Sequence, residues 1–562
     1  MKKIYLAALL GAGLVFSACE DKLDIEQKGV ITTDKFYDES DASAESAMTN
    51  AYETFALNIA GNAGIYIPYT MIFNQCSDDM YAAGEFFGDN DQFASMNEFR
   101  YDSQNEVIVN MYNRVYYAIY ACNLVIDKFS PDSPVKKRVI AEARTLRAWL
   151  HLTAALLWDC PPLVDHVLAG DDQPTNCELG HDGLLKWVAN ECAEAATDLR
   201  ERSDKSDKDG AIVATKGLAY TVQGKALLFL GDYAGAKTAL KQVISSGKYA
   251  LVPGSEWRDL FHIEGDGSSE KVFECNAVRN ANIGDWSNQI QRSPWMQDNV
   301  WAWRTSKLAG SPLCMGDQGW GGLGIEENFA EELYANEPNS IRRKCTMLTF
   351  EEFLTELPYN SDKPGMTDEQ KLADPERGIA NTTGLYGQCR FLNNKNIGSP
   401  EDRCGSWYAF RNYTIYRYAE VLLMYAECCA RTNDNDGAQY LKAIQERAGA
   451  PVTDFTIENV MREKRFEMWC EGVRWTDMVR LKDFNGPRLQ NVGNHIPSMI
   501  DEYFVEGSEY YKKLHHSKIV HSDPNKEKGR SLKFDAAKHS YFPYPFSVIA
   551  KNPNIKQNPG WE

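Results

Sequence analysis

Residues 214–245 read ATKGLAYTVQGKALLFLGDYAGAKTALKQVIS, and the fold turns on this stretch. Residues 214–230 predict one helix, Gly231-Asp232-Tyr233 a turn, and residues 234–245 a second helix. Leu227, Gly231, Tyr233 and Ala236 carry the pattern. Small residues let two helices approach closely, and the Gly-Asp-Tyr turn reverses the chain. Such a pair cannot cover its own apolar faces, so it needs neighbours.

Working outward, residues 181–202 predict a helix, joined to the first pair through the polar loop 204–210. Further upstream, Ser133-Pro134 is a helix start, with proline tolerated at the first position. Val139, Ala143, Leu146, Leu150 and Leu157 then mark one buried helical face, which Pro161-Pro162 terminates. The Tyr-rich residues 105–129 predict an antiparallel partner. Periodicity fades over residues 260–405, where Gly, Asn, Asp, Pro and Trp dominate. It returns at 412–431 and 457–482, and the tail 484–562 is irregular.

The positions at Leu227, Gly231, Tyr233 and Ala236 resemble the tetratricopeptide pattern, so about three or four helical units are expected. The predicted fold class is mainly all-α: a tetratricopeptide-type helical-repeat scaffold with a large loop-rich insertion forming the binding face. The expected divisions are a signal peptide (1–18), a lipidated tether (19–40) and an N-terminal helical-repeat region (41–259). The loop-rich insertion (260–405) and a C-terminal helical and tail region (406–562) follow, packed on the same fold.

The first residues give the expected destination. Lys2 and Lys3 precede an apolar stretch from Ile4 to Phe16, closed by Ser17-Ala18-Cys19. This stretch is too short to span a bilayer, which takes roughly 20 apolar residues, and it has the shape of a secretory signal. Phe16-Ser17-Ala18-Cys19 resembles a lipobox, which predicts cleavage before Cys19 and lipidation of that cysteine. The mature protein is then anchored to a membrane, not threaded through it.

A net charge of −19, two units more acidic without Lys2 and Lys3, repels nucleic-acid phosphates and weighs against polyanionic ligands. Hydrophobic content of 43% is enough for a sizeable core. Leaving out Cys19, thirteen cysteines remain without a CxxC or zinc-type spacing, and most read as reduced core residues. Cys389 and Cys404 flank a loop-like segment and are the one pairing the spacing suggests.

Signatures of catalysis are missing: there is no GxSxG, HExxH, phosphate loop or dinucleotide fingerprint. Residues 319–324 (GWGGLG) read as a flexible turn. Residues 205–210 and 432–437 resemble calcium loops superficially, but lack the acidic residues at their ends and read as helix–helix turns. His515, His516 and His521 cluster without supporting cysteines or carboxylates, so no metal is predicted. With 79 acidic residues, a glycosidase-like carboxylate pair stays open.

The tryptophans are more informative. Five of the 13 (Trp286, Trp295, Trp301, Trp303 and Trp320) fall in a 35-residue window where an even spread gives about one. Flat indoles stack on the apolar faces of sugar rings at little entropic cost. Asn and Gln neighbours such as Asn288 and Gln289 supply partners for hydroxyls. The competing reading is that the rings plug a local core beneath a long loop. Residues 74–93 form a second candidate, combining Asp78, Asp79, Tyr81, Phe86, Phe87 and Asn90.

Four stretches resemble a known family: residues 19–24 (CEDKLD), 417–427 (RYAEVLLMYAE), 462–480 (REKRFEMWCEGVRWTDMVR) and 542–561 (FPYPFSVIAKNPNIKQNPGW). In this order they resemble the SusD/RagB family of nutrient-binding outer-membrane lipoproteins of Bacteroidetes. Read by themselves, the stretches are structural. In 457–482, Phe466, Trp469 and Val473 predict a buried stripe, and Glu463, Glu467 and Glu471 a ladder pairing with neighbouring Arg and Lys. The resemblance implies a cell-surface protein that binds glycan and delivers it to a SusC-like TonB-dependent transporter. It implies a lipid anchor in the outer membrane, a body facing the cell exterior, no cofactor and no chemistry on the ligand. It also implies a platform on loops such as 74–93 and 286–320. Three alternatives stay open: peptide as the ligand, a surface glycoside hydrolase, and a structural lid without ligand affinity.

Overall fold

The computed structural model describes residues 37–60, 68–82, 90–277, 323–349, 352, 391–395, 411–490 and 534–562. It opens with α1 (Asp41–Ile59), α2 (Pro68–Asn74), the short strand β1 (Met80–Ala82) and α3 (Asp91–Asn97). The long helices α4 (Glu106–Lys128) and α5 (Pro134–Trp158) come next, followed by α6 (Gly180–Ala195), α7 (Lys216–Leu230) and α8 (Tyr233–Ser245). Each of α4 to α7 packs against its successor, and α1 covers α4 and α5. This is the stacked-pair scaffold that the sequence predicts.

Local chemistry explains these helices. Asn105 and Ser133 cap α4 and α5, and Pro134 occupies the first position of α5. At the α7–α8 turn Gly231 sits at φ 84°, the left-handed conformation that closes a helix, and Asp232 caps α8 by accepting from the Gly235 N–H. A Cβ on Gly224 would meet Leu240 at 2.5 Å, so the close approach of this pair depends on glycine. Helix α6 is shorter than predicted, ending at Ala195. Arg202, expected on that helix, is buried beyond its end and donates to the carbonyls of Lys271, Gly267 and Ser268.

After α8 the chain forms β2 (Lys271–Cys275), β3 (Leu323–Ile325), α9 (Glu327–Asn336), α10 (Ile341–Thr346), β4 (Met347–Thr349) and β5 (Phe391–Asn393). The stretch 412–431, predicted wholly helical, begins instead as β6 (Tyr413–Arg417) before α11 (Tyr418–Arg431). The reason is tertiary: β6 pairs antiparallel with β2, Cys275 opposite Tyr413. The pairing of β2 with β6 therefore brings the two ends of the intervening chain to one place. Helix α12 (Ala438–Ala448) packs on α11, which also meets α8.

The predicted helix over 457–482 is two helices, α13 (Ile457–Glu467) and α14 (Arg474–Leu481). Between them Cys470 and Gly472 adopt φ 63° and 77°, and the exposed backbone finds partners elsewhere: the Gly472 N–H donates to Asn74 Oδ1 at 3.1 Å. Phe466, Trp469 and Val473 are buried as predicted. The glutamates do not pair along their own helix. Glu467 accepts from Arg417 and Arg447, both at 2.6 Å, and from Arg342 at 3.0 Å. Glu471 binds Arg417 at 2.7 Å and Lys395 at 2.6 Å, and Glu463 binds Arg342. All these groups are buried except Arg447 and Glu471, which are partly covered.

The tail, predicted irregular, carries short helices at Pro487–Gln490, Ala536–His539 and Phe546–Lys551, and it closes the fold. Tyr544 OH donates to the Trp158 carbonyl at 2.9 Å, and Trp158 Nε1 donates to the Pro543 carbonyl at 3.1 Å. Of the ten cysteines among the described residues all are free, and most are buried, as expected of core thiols. No described helix is long and apolar enough to cross a membrane.

Candidate functional site

β1 and β3 form a two-stranded antiparallel ribbon, with Met80 opposite Ile325, Tyr81 opposite Gly324 and Ala82 opposite Leu323. This pairing connects the two candidate aromatic segments. β1 runs out toward residue 83 at the same end where β3 begins. The segment carrying Phe86 and Phe87 therefore joins the ribbon beside the one that carries Trp320, although more than 200 residues separate them in sequence.

The ribbon is held from below by side chains that come from distant elements. Asn97 Nδ2 donates to the carbonyls of Gln75 and Met80 at 2.9 and 3.2 Å, and its Oδ1 accepts from the Ala82 N–H at 3.3 Å. The Asp79 carbonyl accepts from Trp469 Nε1 at 3.1 Å and from the Glu326 N–H at 3.0 Å. Arg488 Nη1 donates to the Ser77 carbonyl at 2.9 Å, and the guanidinium also reaches the Asn97 carbonyl. A loop root fixed this way loses little further freedom when a ligand is bound.

Asp78 and Asp79, predicted as ligand contacts, are inside this support, 4% and 1% exposed. Arg474 grips Asp78 with two bonds of 2.7 and 2.8 Å, and Arg465 bridges Asp79 at 2.7 Å to Glu332 at 2.6 Å. Burial alone would push both carboxyls up. Arg474 and Arg465 overcome it at Asp78 and hold that group down. At Asp79 burial prevails, with the Asp78 charge adding to it against Arg465, and the carboxyl is raised. The two aspartates thus serve the ribbon, not solvent. Asn90 caps α3, accepting from the Gln92 and Phe93 N–H groups at 3.1 and 3.3 Å.

Trp286, Trp295, Trp301, Trp303, Trp320, Phe86, Phe87 and Cys19 lie outside the described residues, as do Cys389, Cys404 and the three clustered histidines. Tyr81 is described only in its backbone. Leu323 and Gly324, read as the end of a flexible turn, are strand residues because β1 pairs with them. Sequence reasoning missed Asn97 and Arg488 as supports, since a lone Asn and a lone Arg carry no pattern. Arg474 and Gly472 were visible only as matches to the family-like stretch.

Two further carboxyls have raised proton affinity. Burial pushes Glu326 up to about 7, and burial together with the charge of Glu274 pushes Asp266 up to about 7. Both are engaged within the fold: Glu326 Oε1 accepts from Asn328 at 3.2 Å, and Asp266 accepts from the Asn412 N–H at 3.0 Å. Among the described residues, no group of three or more His, Cys, Asp or Glu side chains is arranged to hold a metal ion.

Known proteins share this architecture. The SusD family model matches residues 245–561. A SusD-like protein of Bacteroides ovatus is 22% identical, with 99% of this chain and 98% of that protein covered. The surface glycan-binding protein A of Bacteroides thetaiotaomicron, solved in complex with laminarihexaose, superposes with a TM-score of 0.69. It is 19% identical, covering 92% of this chain and 99% of that one. The corresponding protein of Bacteroides uniformis gives a TM-score of 0.67 at 16% identity, covering 92% and 99%. With more than half of its length matched by the family model, and the helical-repeat scaffold and tail in place, the chain belongs to the SusD family.

Proposed function

We propose that this protein binds a neutral oligosaccharide or polysaccharide at the cell surface, using aromatic side chains from the two segments rooted on the β1–β3 ribbon. The observation that carries the reading is the ribbon itself: it joins the ends of the two segments in which the sequence concentrates aromatic and amide side chains. Family membership and the glycan-bound relative of the same fold support it. The acidic body favours a neutral ligand over a sulfated or uronic one.

In this reading the protein binds without turnover and delivers its ligand to a SusC-like TonB-dependent transporter. Cys19 carries the lipid that anchors it to the outer membrane, facing the cell exterior. A panel of neutral glycans set against a peptide mixture tests the ligand class, using the soluble form that starts at Glu20. Saturable binding of one glycan, weakened by alanine at Trp301, Trp303 or Trp320 with the fold intact, is the expected result. Binding of peptide alone overturns the reading, as does hydrolysis of the bound glycan.

A further inference from the structure

The connection between α5 and α6 brings two thiols together. α5 ends at Trp158, and Asp159 turns the chain at φ 62°, a conformation that aspartate adopts far less readily than glycine does. The Cys177 N–H then donates to the Cys160 carbonyl at 3.1 Å. The two thiols are also near enough to act on one another: a charge on Cys177 raises the proton affinity of Cys160. Both side chains point toward the start of α6. Cys160 Sγ donates to Asp159 Oδ2 at 3.6 Å, and the backbones of His181 and Leu179 favour the thiolates of Cys160 and Cys177. Cys160 is partly exposed and Cys177 is buried, so Cys160 is the more accessible of the two.

We propose that Cys160 and Cys177 form a redox-sensitive pair, in which Cys160 attacks an external disulfide and Cys177 resolves the product into an internal one. With oxidised glutathione the steps balance. The Cys160 thiolate forms a mixed disulfide and releases one glutathione thiolate. Cys177 then attacks Cys160 Sγ and releases the second. Two protein thiols are oxidised and one glutathione disulfide is reduced to two thiols.

The closed ring would staple a segment on which the tail depends. Asn176 Nδ2 donates to Tyr544 OH at 3.2 Å, its Oδ1 accepts from the Lys556 N–H at 2.7 Å, and Asn552 donates to the Pro174 carbonyl at 2.7 Å. Burial, then the Asp159 carboxylate, push the Cys160 thiol up to about 11. Exchange is therefore slow at neutral pH and accelerates as pH rises toward that value.

The test uses the soluble chain from Glu20, incubated with oxidised glutathione at mildly alkaline pH. Remaining thiols are then alkylated and peptides are identified by mass spectrometry. The expected product is a peptide cross-linked through Cys160 and Cys177, with the melting temperature raised, and Cys177→Ser leaves glutathione on Cys160 instead. Recovery of both cysteines alkylated overturns the proposal. So does a wild-type adduct that never resolves, or a cross-link from either cysteine to a third one.

Discussion

At Glu467 one buried carboxylate meets three guanidiniums, from Arg447, Arg417 and Arg342. Burial would raise its pKa, but the three arginines hold it well below the usual 4.5. Truncation leaves three cations buried without their shared anion, so Glu467→Ala should cost about 3–5 kcal/mol in urea unfolding. Because folding depresses this pKa, its contribution is complete above about pH 4.5 and drains away as pH falls below it. Glu326 behaves oppositely. Folding raises its pKa to about 7, so its contribution is complete below about pH 4.5 and is lost as pH climbs through 7. Glu326→Gln should therefore nearly match wild type in acid unfolding near pH 4.5 and exceed it by about 3 kcal/mol at pH 8. The sequence showed Glu463, Glu467 and Glu471 at helical spacing, but not their partners, which come from far along the chain. Asp78 and Asp79 are alike in this: the sequence shows an acidic pair beside aromatics, but not that Arg465 and Arg474 are packed against it.

Among elements, the helices with caps and a repeating apolar face were legible. Ser133 and Pro134 announced α5, and Gly231 announced the end of α7. What periodicity could not show was β6, because Tyr413 to Arg417 continue smoothly into a helix and become a strand only where β2 meets them. The break between α13 and α14 was hidden likewise, since its cost is offset by Asn74 and by the Trp469 bond to Asp79. The β1–β3 ribbon is too short to stand alone and depends on such supports. Arg474→Ala removes the grip on Asp78 just before β1. Hydrogen exchange should then speed up by about tenfold or more at Ala82 and Leu323, while α7 and α8 keep their protection. Equal acceleration everywhere would mean that Arg474 serves global stability instead of the ribbon.

For the whole molecule, the stack from α4 to α8 continues through α11 to α13, and the tail returns to Trp158, so a long chain closes on itself. The family-like stretches fall on this closure: Arg417 and Glu471 sit in the ion network, and Tyr544 seals the tail. They identify the scaffold, whereas the proposed ligand contacts lie on loops outside these stretches. If the proposed anchor is correct, Cys19→Ala should move the protein from the membrane fraction to the soluble fraction of an expressing cell, with its fold unchanged. In the proposed function, two aromatic segments rooted on one ribbon share a glycan. The most direct measurement is affinity electrophoresis of the soluble chain with Phe87→Ala, Trp320→Ala and the double variant, in gels of graded polysaccharide concentration. The account predicts retardation of the wild type, weaker retardation of each single variant, and a double variant that departs from additivity by more than about 0.5 kcal/mol. Wild-type migration unaffected by every glycan, or binding that neither substitution changes, would contradict it.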